Sequence, residues 1–156
     1  MKKVILVSLA LGSVLAGTMG QRSVKATSLS CSQIEAFGNA LRPQILSQLN
    51  SQVAGISYEI NPRKTLRINQ INQIGFSGCQ MTTDTNITLK RKIRRDAHGT
   101  VAATGIINYA NLAEKKICFK EAKVTDVNLS RTSFLGESLY KWVANKVIPN
   151  QKCLNL

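Results

Sequence analysis

The chain reads as an α+β protein: an amphipathic N-terminal helix, a four-stranded curved antiparallel meander, and a C-terminal helix packed on the sheet. Three observations predict it. Apolar residues recur every three or four positions near residue 40 and again near residue 140. Between them, runs rich in Ile, Val and Thr alternate with polar residues and are punctuated by Gly and Asn-Pro. Finally, Asp96-Ala97-His98-Gly99 divides two alternating runs in the manner of a hairpin turn.

The first residues, MKKVILVSLALGSVLAGTMG, place two lysines before an apolar run from Val4 to Ala16 and then small residues, the layout of a secretory signal peptide. The run is short for a spanning helix. Cleavage is expected after Gly20 or after Ala26, with Ala26 preferred, so the chain divides into a leader, 1–26, and a single exported domain, 27–156. Cys31 follows a Ser-Leu-Ser stretch, but Ser28 stands where a lipid-attachment signal has Leu. No later stretch is long and apolar enough to predict a transmembrane segment in the mature chain, and the expected location is periplasmic or extracellular.

Ile34, Phe37, Leu41, Ile45, Leu49 and Val53 form one face of a helix. Pro43 either starts a second helix after a turn or kinks a single one, and Gly55 closes the pattern. After a connector containing Asn61-Pro62, Lys64 to Met81 predicts a strand with a bulge, ending near Gly78. The hairpin on Asp96–Gly99 sets Arg95 opposite Val101, Arg91 opposite Gly105 and Leu89 opposite Ile107. A fourth strand fits Lys115 to Leu129, whose apolar positions change parity between Phe119 and Val124 and so predict a second bulge. The last helix carries Leu135, Leu139, Trp142, Val143 and Val147 on its apolar stripe and stops before Pro149.

All four cysteines fall in the mature part, and an even number in an exported chain predicts disulfides. A strand running back along the first helix returns Cys79 to Cys31. A helix running back along the fourth strand returns Cys153 to Cys118. The expected pairs are therefore Cys31–Cys79 and Cys118–Cys153.

Of the 21 basic residues, Lys2, Lys3, Arg22 and Lys25 belong to the leader, so 17 remain against all 8 acidic ones, a formal charge of +9. Five of the cations, Lys90, Arg91, Lys92, Arg94 and Arg95, form a run broken only by Ile93, and this run is the candidate anion-binding surface. In the expected register Lys90, Lys92 and Arg94 project outward while Arg91 and Arg95 share the apolar face. Lys115, Lys116, Lys120 and Lys123 on the neighbouring strand would extend this surface. An edge strand also uses cations simply to stay soluble. Nucleic acid is not the expected partner, because the compartment is wrong and the basic face lacks aromatic platforms.

Catalytic groups are sparse. His98 is the sole histidine and sits at the expected hairpin tip, and the carboxylates are scattered without a facing pair. No phosphate-cradling loop or metal-ligand spacing occurs, so neither enzyme activity nor a cofactor is expected.

The order of helix, curved meander and closing segment VTDVNLSRTSFLGESLYKWVANKVIP, Val124 to Pro149, resembles the small bacterial exported members of the tubular lipid-binding (TULIP) superfamily. A cystatin-like sheet around one helix is the rival architecture. The resemblance implies a bent sheet that wraps a helix and leaves an apolar groove for lipid chains. On this chain the groove would be lined by Leu41, Ile45 and Leu49, by Ile87, Leu89 and Ile107, and by Leu139, Trp142 and Val143. The function expected is a non-enzymatic exported binding protein for a lipid-like or other anionic amphiphile. The alternatives are an envelope assembly module that binds an acidic protein or glycan without a cavity, and a small extracellular hydrolase.

Overall fold

A computed structural model describes residues 29–132, 134–147 and 151–156, with the side chains at 134, 135, 146 and 147 set aside. The expected leader lies outside the described residues, as do the Leu135 and Val147 side chains of the predicted stripe. Two helices, α1 (Cys31–Ala40) and α2 (Arg42–Val53), precede β1 (Ser57–Asn61), β2 (Lys64–Ser77), β3 (Gln80–Arg91), β4 (Ala97–Asn111) and β5 (Lys116–Leu129); α3 (Phe134–Val147) and β6 (Gln151–Asn155) follow. All six strands lie side by side in chain order, each antiparallel to its neighbours, in one curled sheet. The α+β class holds, with six strands in place of four and three helices in place of two among the described residues.

Local chemistry sets the helix boundaries. Ser30 accepts a hydrogen bond from Gln33 N–H at 3.3 Å while Gln33 Oε1 accepts from Ser30 N–H at 2.9 Å, a reciprocal cap that starts α1. At Leu41 the backbone leaves helical geometry (φ −99°, ψ 10°), and α2 begins with Pro43 in its first turn. Proline has no N–H to continue the preceding ladder, so the apolar face is carried by two helices instead of one.

Bulges curl the sheet. The β2–β3 register shifts between Ile68 and Gln70 and again between Ile71 and Gln73. The β4–β5 register shifts at three places, one of them around Glu121, whose φ is +53°. Each extra residue bends its strand and increases the twist, so long strands wrap around the helices. The second of these irregularities is the parity change predicted between Phe119 and Val124.

The β3–β4 hairpin differs from its expected register. Leu89 pairs with Ala97 and Met81 with Gly105, and the connecting loop is 92–96. Gly99 and His98 are therefore strand residues. The reason is packing: a Cβ on Gly99 would lie 1.8 Å from the Asn128 carbonyl oxygen, so this glycine admits the close approach of β5 and not a left-handed turn. His98 is exposed, with Nδ1 3.0 Å from Thr88 Oγ1, which accepts from Asn69 Nδ2 at 2.8 Å.

The two edge strands, β1 and β6, have no counterpart among the predicted elements. β1 and β6 are five residues each, too short to show a period. They cover only part of the long strands beside them, and a helix covers the rest. Asn50 of α2 accepts from Ile71 N–H at 2.7 Å and donates to Ile71 C=O at 3.0 Å, beyond the reach of β1. Asn145 of α3 accepts from Val124 N–H at 2.5 Å and donates to Val124 C=O at 3.5 Å, beyond the reach of β6. A side-chain amide thus replaces a strand partner at each edge, which leaves these backbone groups paired.

The concave face carries two apolar clusters. In the first, Ile34, Phe37, Ile45 and Leu49 of α1 and α2 pack on Ile71, Ile74, Phe76, Phe119 and Leu154. Gly38 lets α1 reach the sheet, because a Cβ there would meet the Phe76 ring at 2.5 Å. In the second, Tyr140 and Ala144 of α3 pack on Leu66, Ile87, Leu89, Val101 and Val127. The two disulfides are Cys31–Cys79, from the start of α1 to the β2–β3 turn, and Cys118–Cys153, between directly opposed residues of β5 and β6.

Candidate functional site: an apolar cavity and a cationic pocket

Between the two clusters the inner face of the sheet carries small side chains. Thr83 and Thr85 of β3, Ala103 and Gly105 of β4, and Ala122 of β5 meet here. Helix α2 covers one end with Leu49 and Val53, and α3 covers the other with Ala144. The small residues cannot fill the space between them, and a cavity of about 160 Å³ remains, lined almost wholly by carbon. Thr83, Thr85, Ala103 and Ala122 are half-buried, so it communicates with solvent. Protein interiors are ordinarily packed to crystal-like density, which makes an unfilled apolar volume of this size informative.

Of the nine residues expected to line a groove, Leu49 and Ile87 do so. Ile45, Leu89 and Ile107 are buried within the flanking clusters, and Leu41 is half-buried against the first. Val143 is half-buried, while Leu139 and Trp142 are 49% and 60% exposed. Helix α3 is rotated from its predicted orientation so that Tyr140 and Ala144 face inward. Asn145, held on the backbone of β5, is one anchor of that rotation, and Lys141 is another, its Nζ donating to the Thr125 carbonyl. The residues missed were the small ones. Their signal is the run of Thr and Ala at alternate, inward positions of two adjacent strands, which an eye set for large apolar residues passes over.

The basic run is dispersed by the observed register. Arg91 pairs with Lys64 of β2 and lies beyond the last β3–β4 pair, so it stands at the strand end and not opposite Gly105. Its guanidinium donates to the Arg95 carbonyl, from Nε at 2.9 Å and from Nη2 at 2.5 Å. Lys90, Lys92 and Arg95 are exposed. Lys120 and Lys123 oppose Ile106 and Thr104, far along β4 from its Ala97 end, so no continuous basic surface joins them to Lys90. Lys120 instead pairs with Glu121 at 3.5 Å.

Arg91 and Arg94 do converge with other cations. Arg63 of the β1–β2 turn, Lys64 at the start of β2 and Arg131 from the β5–α3 connection join them around a pocket of about 480 Å³, with Ile93, Thr132, Gly136 and Tyr140 completing the wall. Among the described residues no carboxylate lines it. Arg63-Lys64 and Arg131 lie far from the basic run in the sequence, and only the return of three connections to one end of the sheet unites them with Arg91 and Arg94.

Helix α3 joins the two features. Gly136 and Tyr140 border the cationic pocket and Ala144, on the same stripe, borders the apolar cavity. Among the described residues there is no cluster of metal-ligating side chains, and no helix is long and apolar enough to cross a membrane. No family model, curated protein or solved structure matches this chain.

Proposed function

We propose that the chain is an exported, non-enzymatic binding protein that takes the apolar part of a lipid-like amphiphile into the cavity between its two clusters. The cavity between α2, α3 and the band of small residues carries this reading. Even a fully enclosed apolar cavity of roughly 150 Å³ accepts a benzene-sized molecule. At about 160 Å³ the site suits one ring or a short alkyl segment, and a longer chain requires α2 and α3 to part. The arrangement is in keeping with the groove that the tubular lipid-binding resemblance implies. Export into an oxidising compartment accords with the two disulfides and the signal-like first residues.

Titration with an environment-sensitive naphthalene dye, alongside native mass spectrometry of protein from its own host, tests the reading. The wild type should take up the dye and carry an apolar ligand, and Ala103→Leu should abolish both. An empty wild type that excludes the dye would overturn it.

A second reading, an interaction module for an acidic protein or glycan, draws on the loop where exposed Lys92, Arg94 and Arg95 surround Ile93, itself 75% exposed. Reversal of Lys90 and Lys92 to Glu would then abolish capture of that partner, whereas Ala103→Leu would leave it intact.

A further inference from the structure

We infer that the pocket formed by Arg63, Lys64, Arg91, Arg94 and Arg131 is a discrete site for a phosphorylated group bearing at least two negative charges. The inference rests in part on the amphiphile reading above, whose headgroup this would be, but the anion site has its own evidence and its own test.

Five cations from three separate segments face one pocket of about 480 Å³. Like charges gathered in this way repel one another, and among the described residues no carboxylate lies within ion-pair distance of any of them. Nor are they loosely placed. The Arg63 N–H donates to Asn61 Oδ1 at 2.9 Å, and the Arg63 carbonyl accepts from Lys92 N–H at 3.1 Å, which ties the β1–β2 turn to the β3–β4 loop. The Arg91 guanidinium is held on the Arg95 carbonyl, and the Arg91 N–H donates to Asp96 Oδ1 at 3.3 Å. On the third segment, Thr132 Oγ1 donates to the Leu129 carbonyl at 2.9 Å beside Arg131. The Arg91 guanidinium and the backbone that carries Arg63 and Arg131 are thus fixed before any ligand arrives, which lowers the cost of binding.

The residue types narrow the ligand. Four of the five are arginine, whose planar fork matches phosphate and carboxylate oxygens two at a time. The pocket leaves room for a second phosphate or a polar substituent beside the first. Position narrows it again. Gly136 of the cationic pocket and Ala144 of the apolar cavity are eight residues apart on one helical stripe, about 12 Å along the axis. On β3, Ile87 lines the cavity and Arg91 the pocket, and on β2, Leu66 and Lys64 divide in the same way. A molecule with a phosphorylated head and a short apolar segment would span both under α3.

Calorimetric titration of the oxidised protein with inorganic pyrophosphate, and separately with lysophosphatidic acid below its micellar concentration, tests this. The wild type should bind at least one of them. The double variant Arg63→Gln/Arg131→Gln should bind at least tenfold more weakly. Lys120→Gln/Lys123→Gln, which removes the same charge at the far end of the sheet, should change affinity less than twofold, with thermal melting confirming that both variants fold. Tighter binding of the lysolipid, lost on Ala103→Leu, identifies an amphiphile headgroup. Equal binding of both, unaffected by Ala103→Leu, leaves the anion site standing as a site for free phosphates and removes the apolar half of the reading. Absence of binding, or equal weakening by the two double variants, would overturn the site.

Discussion

Asn50 and Asn145 perform the same task at opposite edges of the sheet. Each presents a side-chain amide to both backbone groups of one strand residue, Ile71 in one case and Val124 in the other. Replacing either by Ala leaves a partly buried N–H and C=O without their partner, so each substitution should cost about 1–3 kcal/mol, as read by urea denaturation. Aspartate keeps the acceptor and loses the donor, and should recover only part of that loss. Gly99 is less forgiving. A methyl group there would overlap the Asn128 carbonyl, so Gly99→Ala should separate β4 from β5 locally and lower the denaturation midpoint more than either asparagine variant. The orientation of α3 is tested in the same way. Tyr140 is 4% exposed and Tyr140→Ala should cost about 3 kcal/mol or more by analogy with other large aromatic deletions, whereas Leu139→Ala on the outer face should cost about 1 kcal/mol or less.

At the scale of elements, the chain turns once after β5 and comes back along it, first as α3 and then as β6. Residues 116–120 of β5 pair with β6, and its later half meets α3. The left-handed backbone of Glu121 sits where one neighbour gives way to the other. Cys118–Cys153 locks this return at the strand pair, and Cys31–Cys79 locks α1 onto the far end of the meander, across sequence separations of 35 and 48. Each bond should contribute roughly 2–4 kcal/mol, largely by restricting the unfolded chain. Cys118→Ser/Cys153→Ser should therefore lower stability by that amount in chemical denaturation while β5 and α3 retain their contacts, and a reductant should have no further effect on that bond.

For the molecule as a whole, the proposed function sets stability and binding against each other in the cavity. Ala103→Leu should raise the melting temperature by a few degrees if the new side chain fills the space, and should abolish dye uptake in the same protein. Thermal denaturation and dye titration on one sample check both halves. The formal charge of +9 over residues 27–156 adds a long-range pull on anions, so added salt should weaken pyrophosphate binding, and less so in Arg63→Gln/Arg131→Gln than in the wild type.

Much of this was legible in the chain because it depends on local pattern. The helices near residues 45 and 140, the bulge near Glu121, the turn at Gly78 and both cysteine pairs follow from spacing and antiparallel order, although the face that the last helix buries does not. Three things were decided only by tertiary structure. The β3–β4 register moved because Gly99 answers to β5, a partner remote in sequence. Helix α3 turned its Trp142 outward because side chains such as Asn145 and Lys141 reach the backbone of β5. The cavity and the cationic pocket arise where residues too small or too scattered to signal anything alone are brought together: Thr83 with Ala103 and Ala122, and Arg63 with Arg91 and Arg131. Periodicity reports which residues prefer to be buried. Only the register of neighbouring strands reports what they leave unfilled, and only the convergence of distant turns reports which charges must share a space.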